Sequence, residues 1–188
     1  LGADVTAAFR SREAAANCRQ ELRGPLRLIV LDLFTDDIRP ALQSGKFDIV
    51  FHLAASTNVK SSIENPKQDF ESNAVATLNL LSAMREASPE TRLVYTSSAV
   101  VYRGDGKGRI SEDDPTSPRT PHGVSKLTAE RYVNVFASIY GMRTVILRLF
   151  SVYGPGLRKQ VIYDTMCRLR ENPDELFMYG DGEELRDM

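Results

Sequence analysis

The chain has 188 residues, 42% hydrophobic and 26% charged, with 24 basic against 25 acidic side chains and a net charge of −1. That is enough material for a domain with a real apolar core, and the balanced charge argues against nucleic acid or an anionic membrane surface as a partner. Two isolated cysteines, Cys18 and Cys167, lack the spacing of a disulfide framework or a metal site and fit a reducing, cytoplasmic setting, and no apolar run reaches membrane-spanning length.

Short apolar runs alternate with longer helical patterns, with no repeat or low-complexity tract. "DVTAAF" (4–9) reads as a strand and "REAAANCRQEL" (12–22) as an alanine-rich helix ended by Gly24-Pro25. "LRLIVLD" (26–32) and "FDIVFHLAA" (47–55) read as further strands. A long helix is expected near 66–87, then the strand "RLVYTSS" (92–98) and a Gly/Asp/Pro-rich loop over 103–121. The helix 122–140 and the strand "RTVILRLF" (143–150) follow. Near-continuous Val/Ile/Leu strands predict burial on both faces, and their alternation with helices predicts an α/β, doubly wound parallel sheet. Ligands in such sheets sit beyond the carboxyl ends of the strands. Arg10-Ser11-Arg12, Asp32-Leu33, Ala54-Ala55-Ser56, Ser97-Ser98 and Ser151 to Gly156 all fall there.

"TPHGVSKLTAE" (120–130) poses a narrower question. Pro121 marks a helix start. The i, i+4 spacing then puts His122 and Lys126 on one face, within reach of a common ligand, in a chain with only 2 histidines.

Six segments in order resemble the extended short-chain dehydrogenase/reductases, in particular their nucleotide-sugar epimerase/dehydratase group, with UDP-glucose 4-epimerases as the nearest type. "FHLAAS" resembles the cofactor turn after the fourth strand, and "NAVATLNLLSAM" (73–84) the helix with an asparagine near its start. "YTSSAVVY" (95–102) resembles the catalytic serine strand and "PHGVSKLTAE" the Y-x-x-x-K helix. "LRLFSVYGPG" (147–156) and "MYGDGEELRD" (178–187) resemble substrate-side signatures. The resemblance implies an NAD(P)-binding Rossmann domain over 1–150 and the start of a nucleotide-sugar-binding region over 151–188. It also implies that "LGADVTAAF" is the family's second strand. The glycine-rich first βα unit, about 30 residues, and most of the small C-terminal substrate domain are then expected to lie outside this sequence. Leu1 in place of Met and the closing "ELRDM" fit that expectation.

By the same resemblance, Ser98 is the catalytic serine, Lys126 the lysine, and His122 stands where the family carries its tyrosine. A neutral imidazole, with an ordinary pKa of about 6.5 lowered further by the neighbouring ammonium, is a base that needs no prior deprotonation. The competing reading is a shorter side chain that misses the sugar hydroxyl and leaves binding without turnover. Arg10, Ser11 and Arg12 occupy the position that reads the adenine ribose and suit a 2′-phosphate, so NADP is expected ahead of NAD. Asp32 and Leu33 match adenine contacts. Leu53, Ala54 and Ala55 in the cofactor turn, and Asn73 near the start of the following helix, match cofactor-binding positions. Ser151, Arg158 and Arg186 match groups near the substrate diphosphate, a surface ion pair being the competing reading for each arginine.

Ala99 and Val100 after Ser98 cannot supply the acid that dehydratases use at this point. The resemblance therefore implies a nucleotide-sugar 4-epimerase working by transient C4 oxidation. An NADPH-dependent 4-keto-sugar reductase and a non-catalytic nucleotide-binding relative remain as alternatives. The helices at 66–87 and 122–140 are the pair through which the family commonly forms homodimers. His52, inside an apolar strand, is expected to bond a backbone group. Tyr102 is expected to pack, and the acidic run Glu112-Asp113-Asp114 to be solvated.

Overall fold

The computed structural model describes residues 2–21, 26–102, 109–154, 156–157 and 160–177. Among the described residues, five strands carry the fold: β1 (Val5–Phe9), β2 (Leu26–Val30), β3 (Ile49–His52), β4 (Arg92–Ser98) and β5 (Thr144–Leu149). All pairings between them are parallel. They form two sheets, β1-β2 and β3-β4-β5, with no ladder between them among the described residues.

The helices are α1 (Arg12–Glu21), α2 (Arg39–Gly45), α3 (Val59–Glu64), α4 (Pro66–Phe70), α5 (Ala76–Ala87), α6 (Pro121–Tyr140) and α7 (Gln160–Glu171). The long helix expected at 66–87 is α4 and α5 joined through a π turn at Glu71–Val75. That turn contains Asn73, and such widened turns recur at functional sites. Helix ends follow local chemistry. Thr120 Oγ1 accepts the Gly123 N–H (3.1 Å) at the start of α6, and Gly141, with φ 68°, ends it in the left-handed conformation glycine favours. Ser11 Oγ caps α1 by accepting the Ala14 N–H (3.1 Å).

The core lies between the β3-β4-β5 sheet and the layer formed by α5 and α6. Leu80, Leu81 and Met84 meet Leu93 and Tyr95, and Ala129, Val133 and Phe136 close over them. Burial on both faces, as the apolar runs suggested, is not found. β5 alternates half-buried and exposed residues, and Phe51 of β3 is 61% exposed. Ile49, Phe51, Val145, Leu147 and Leu149 are exposed because α5 and α6 cover the opposite face, among the described residues. No described helix is long and apolar enough to cross a membrane.

Candidate functional site

β4 ends at Ser98, whose Oγ accepts the Val100 N–H (3.4 Å) and so starts the tight turn Ala99–Val101. Among the described residues its own O–H has no recorded acceptor. α6 begins against this turn. A Cβ on Gly123 would sit 2.6 Å from the Val100 carbonyl oxygen and 2.7 Å from Pro118 Cβ, so only glycine lets the helix approach this closely. Gly123→Ala is expected to cost about 1–3 kcal/mol through overpacking. A urea titration checks this, and an unchanged midpoint would show that the close approach is dispensable.

The approach brings His122 and Lys126, both buried, to the carboxyl end of β4. Lys126 Nζ donates to the Thr96 carbonyl (2.9 Å) and stands 5.1 Å from the centre of the Tyr95 ring. Burial lowers its pKa to about 8, against the upward pull of Asp69 and Glu130. His122 is held below the usual imidazole value chiefly by burial; the Asp69 carboxylate opposes this and the Lys126 ammonium adds to it. The expected cause, the ammonium, is therefore a lesser one, because a buried ring loses more from desolvation than from a neighbour that is itself balanced by acids.

Behind His122 lies a buried polar cluster. Its Nδ1 is 3.4 Å from Asp69 Oδ1 and 3.4 Å from Asn73 Nδ2. Asn73 Nδ2 also reaches Asp69 Oδ1 (3.1 Å) and Ser125 Oγ (3.2 Å), and Ser125 donates to Asp69 Oδ2 at 2.5 Å. Asn73 Oδ1 accepts the Ser56 N–H (2.9 Å), which ties the loop after β3 to the π turn. Thr77 donates to the Asn73 carbonyl at 2.5 Å and bonds His52 Nε2 at 2.9 Å. His52 thus bonds a side-chain hydroxyl rather than the expected backbone group, because the π turn leaves Thr77 beside it. Burial lowers the His52 pKa to about 4, so it is neutral at pH 7.

The remaining expected residues divide by sheet. Leu53 and Ala54 are exposed and Ala55 half-buried just beyond β3. Arg10 and Arg12 are exposed beyond β1, while the Ser11 hydroxyl is engaged as the cap of α1. Asp32 turns its Oδ1 back to the Phe34 N–H (2.9 Å), and the Leu33 carbonyl is pinned by Asn79 Nδ2 (3.0 Å). The strand ends of β1 and β2 meet through the Leu31 N–H and the Phe9 carbonyl (2.8 Å). Ser151 is half-buried after β5. Arg158 and Arg186 lie outside the described residues.

Sequence reasoning missed Asp69, Thr77 and Ser125. Asp69 and Asn73 at i, i+4 share a helix face, but nothing local shows that this face meets α6. It also missed Arg148, which grips the buried Glu130 carboxylate through Nε and Nη2 at 3.0 and 2.9 Å. Arg148 Nη1 donates to the Tyr102 hydroxyl (2.7 Å) and the Glu112 carbonyl (3.0 Å). Tyr102 is buried as expected, and this arginine holds it. Among the described residues, no group of three or more His, Cys, Asp or Glu is placed to hold a metal ion.

Comparisons with known proteins bear on the family and the fold. The family described as the NAD dependent epimerase/dehydratase family matches residues 1–188. A Bacillus subtilis (strain 168) protein named as an uncharacterized UDP-glucose epimerase, YtcB, is 36% identical over 157 residues, covering 83% of this chain and 48% of its own. The UDP-N-acetylglucosamine 4-epimerase from Methanobrevibacter ruminantium M1, solved with UDP-N-acetylmuramic acid, superposes with a TM-score of 0.83 at 28% identity. That match covers 98% of this chain and 60% of the epimerase. The UDP-glucuronic acid 4-epimerase from Bacillus cereus, solved with UDP-glucuronic acid and NAD, gives 0.76 at 26% identity, covering 89% and 55%. The chain spans about half the length of the relatives it matches.

Proposed function

Because the chain belongs to the NAD-dependent epimerase/dehydratase family, we propose that it carries the cofactor-binding and catalytic core of a nucleotide-sugar 4-epimerase, with His122 as acid/base. The observation that carries this reading is the buried His122–Lys126 face set against the turn that follows Ser98. Residues 1–150 would hold the dinucleotide, and 151–188 would begin the nucleotide-sugar-binding region.

The residues present fit a nicotinamide dinucleotide. Lys126 commits one N–H to the Thr96 carbonyl and keeps two for ribose hydroxyls, and Asn73 fixes the small-residue loop after β3 along which a pyrophosphate can lie. Arg10, Ser11, Arg12, Asp32 and Leu33 would contact the adenosine end, Leu53, Ala54, Ala55 and Asn73 the middle, and Lys126 the nicotinamide ribose. When bound, the nicotinamide supplies the acceptor and donor of the C4 hydride.

The chain's own groups then move the proton. Ser98 donates its O–H to the sugar C4 oxygen and orients it. His122 takes the C4 hydroxyl proton as that carbon is oxidised, holds it as imidazolium, and returns it when the keto sugar is reduced from its other face. Lys126, still cationic near neutral pH, favours the neutral imidazole before the step. Ser151, Arg158 and Arg186 would bind the diphosphate. The exposed Tyr132, Val135 and Ile139 of α6 would lie in a homodimer interface.

A second reading, an NADPH-dependent 4-keto-sugar reductase, draws on Arg10 and Arg12, exposed at the end of β1. Proton NMR of the intact protein with NAD or NADPH and a panel of UDP-, GDP-, CDP- and dTDP-sugars, 4-keto forms included, separates the readings. A changed C4 signal without net cofactor consumption is expected. Stoichiometric loss of NADPH with a keto sugar establishes the reductase instead. Ligand binding without any product overturns both.

A further inference from the structure

The cluster behind His122 has a consequence for which nitrogen faces the substrate. Asn73 Nδ2 has two hydrogens and two acceptors closer than His122, namely Asp69 Oδ1 at 3.1 Å and Ser125 Oγ at 3.2 Å. Ser125 has one hydrogen, and its shortest contact sends it to Asp69 Oδ2 at 2.5 Å. Its oxygen is then free to accept from Asn73. With these hydrogens placed, no donor remains for His122 Nδ1 among the described residues. The ring must itself donate there, and the acceptor at hand is Asp69 Oδ1, 3.4 Å away and almost fully buried.

We infer that Asp69 is a positioning residue that holds His122 in the tautomer with hydrogen on Nδ1, leaving Nε2 as the basic nitrogen. A carboxylate behind one ring nitrogen sets the role of the other and stabilises the imidazolium once a proton arrives. Nε2 has no hydrogen-bond partner among the described residues. It is also absent from the side-chain atoms that are both buried and unpartnered. A tyrosine at position 122 would have no ring nitrogen for Asp69 to engage, so this use of the carboxylate belongs to the histidine. The geometry stands without turnover; its catalytic consequence rests on the proposed role of His122 as proton acceptor.

The test is nitrogen NMR of the intact protein labelled with 15N in its imidazoles, without substrate. His122→Gln identifies the His122 signals by their loss. In the neutral form the hydrogen is expected on Nδ1. Asp69→Asn, which removes the charge and leaves a group that can equally donate, is expected to move most of the population to hydrogen on Nε2. Ser125→Ala takes away the acceptor of one Asn73 hydrogen, frees it to donate to His122 Nδ1, and is expected to raise the population with hydrogen on Nε2. Hydrogen on Nε2 in the parent protein, with Nδ1 accepting from Asn73, overturns the inference, as does an Asp69→Asn protein that keeps it on Nδ1. Hydrogen on Nδ1 in a protein that turns over no sugar would sink the epimerase reading and leave this assignment intact.

Discussion

On its proposed role as acid/base, replacing His122 with glutamine is expected to lower nucleotide-sugar turnover by roughly 10²–10⁴-fold, the range in which a positioned acid/base group contributes, while nucleotide-sugar affinity is expected to stay within a few-fold. Glutamine is chosen because its amide can still donate to the Asp69 carboxylate, so the buried cluster keeps a partner on that side. It cannot take the C4 proton. The loss is therefore expected in kcat, with little change in a dissociation constant measured by calorimetry. Equal loss of both would mean that His122 shapes the site. Unchanged turnover would mean that another group moves the proton.

The second large effect is on stability. Arg148→Met leaves the Glu130 carboxylate, with a side chain 2% exposed, buried beside an apolar group. It also removes the guanidinium from Tyr102 and the Glu112 carbonyl. Breaking such a pair from one side costs about 3–5 kcal/mol, because the remaining charge has lost its partner, whereas replacing both members is often close to neutral. The Glu130→Leu/Arg148→Met double variant is therefore expected to recover most of the loss in urea denaturation. Strands and helices far from the site should be unaffected, because Arg148 ties β5, α6 and the loop after β4 to one another and to nothing else described. If the single variant were as stable as the parent, the pair would be incidental to the fold.

What the sequence made legible follows from which interactions are local. Apolar runs marked the five described strands, because strands collect Val, Ile, Leu, Phe and Tyr whatever their neighbours. Pro121 marked the start of α6, because a first-turn proline acts locally; the Thr120 and Gly141 caps emerged only in the structure. The short α2 and the polar α3 carry too few periodic apolar positions to stand out, and α7 lies among segments read for their substrate-side residues. The exposed face of β3 and β5 was misread, since a run of apolar residues records the capacity for burial on two sides and not whether both sides are covered. The site divides in the same way. Ser98, His122 and Lys126 were legible because strand end and helix spacing place them. Asp69 and Arg148 were not, because each acts on a partner far along the chain, Asp69 reaching Ser125 across 56 positions.

Burial holds His122 below its usual value of 6.5, so the neutral base is the prevailing form at pH 7 and is lost as pH falls through that lowered value. Lys126 titrates at about 8, so its cation is lost as pH rises through that value. The most direct measurement is the pH dependence of kcat for the intact protein beside His122→Tyr. An acid limb below pH 6.5 is expected in the histidine form, with a fall above about 8, and the acid limb is expected to move to higher pH when tyrosine must ionise first. A rate that is flat through the imidazole range, or a limb that stays in place in His122→Tyr, would contradict the claim that His122 is the working acid/base.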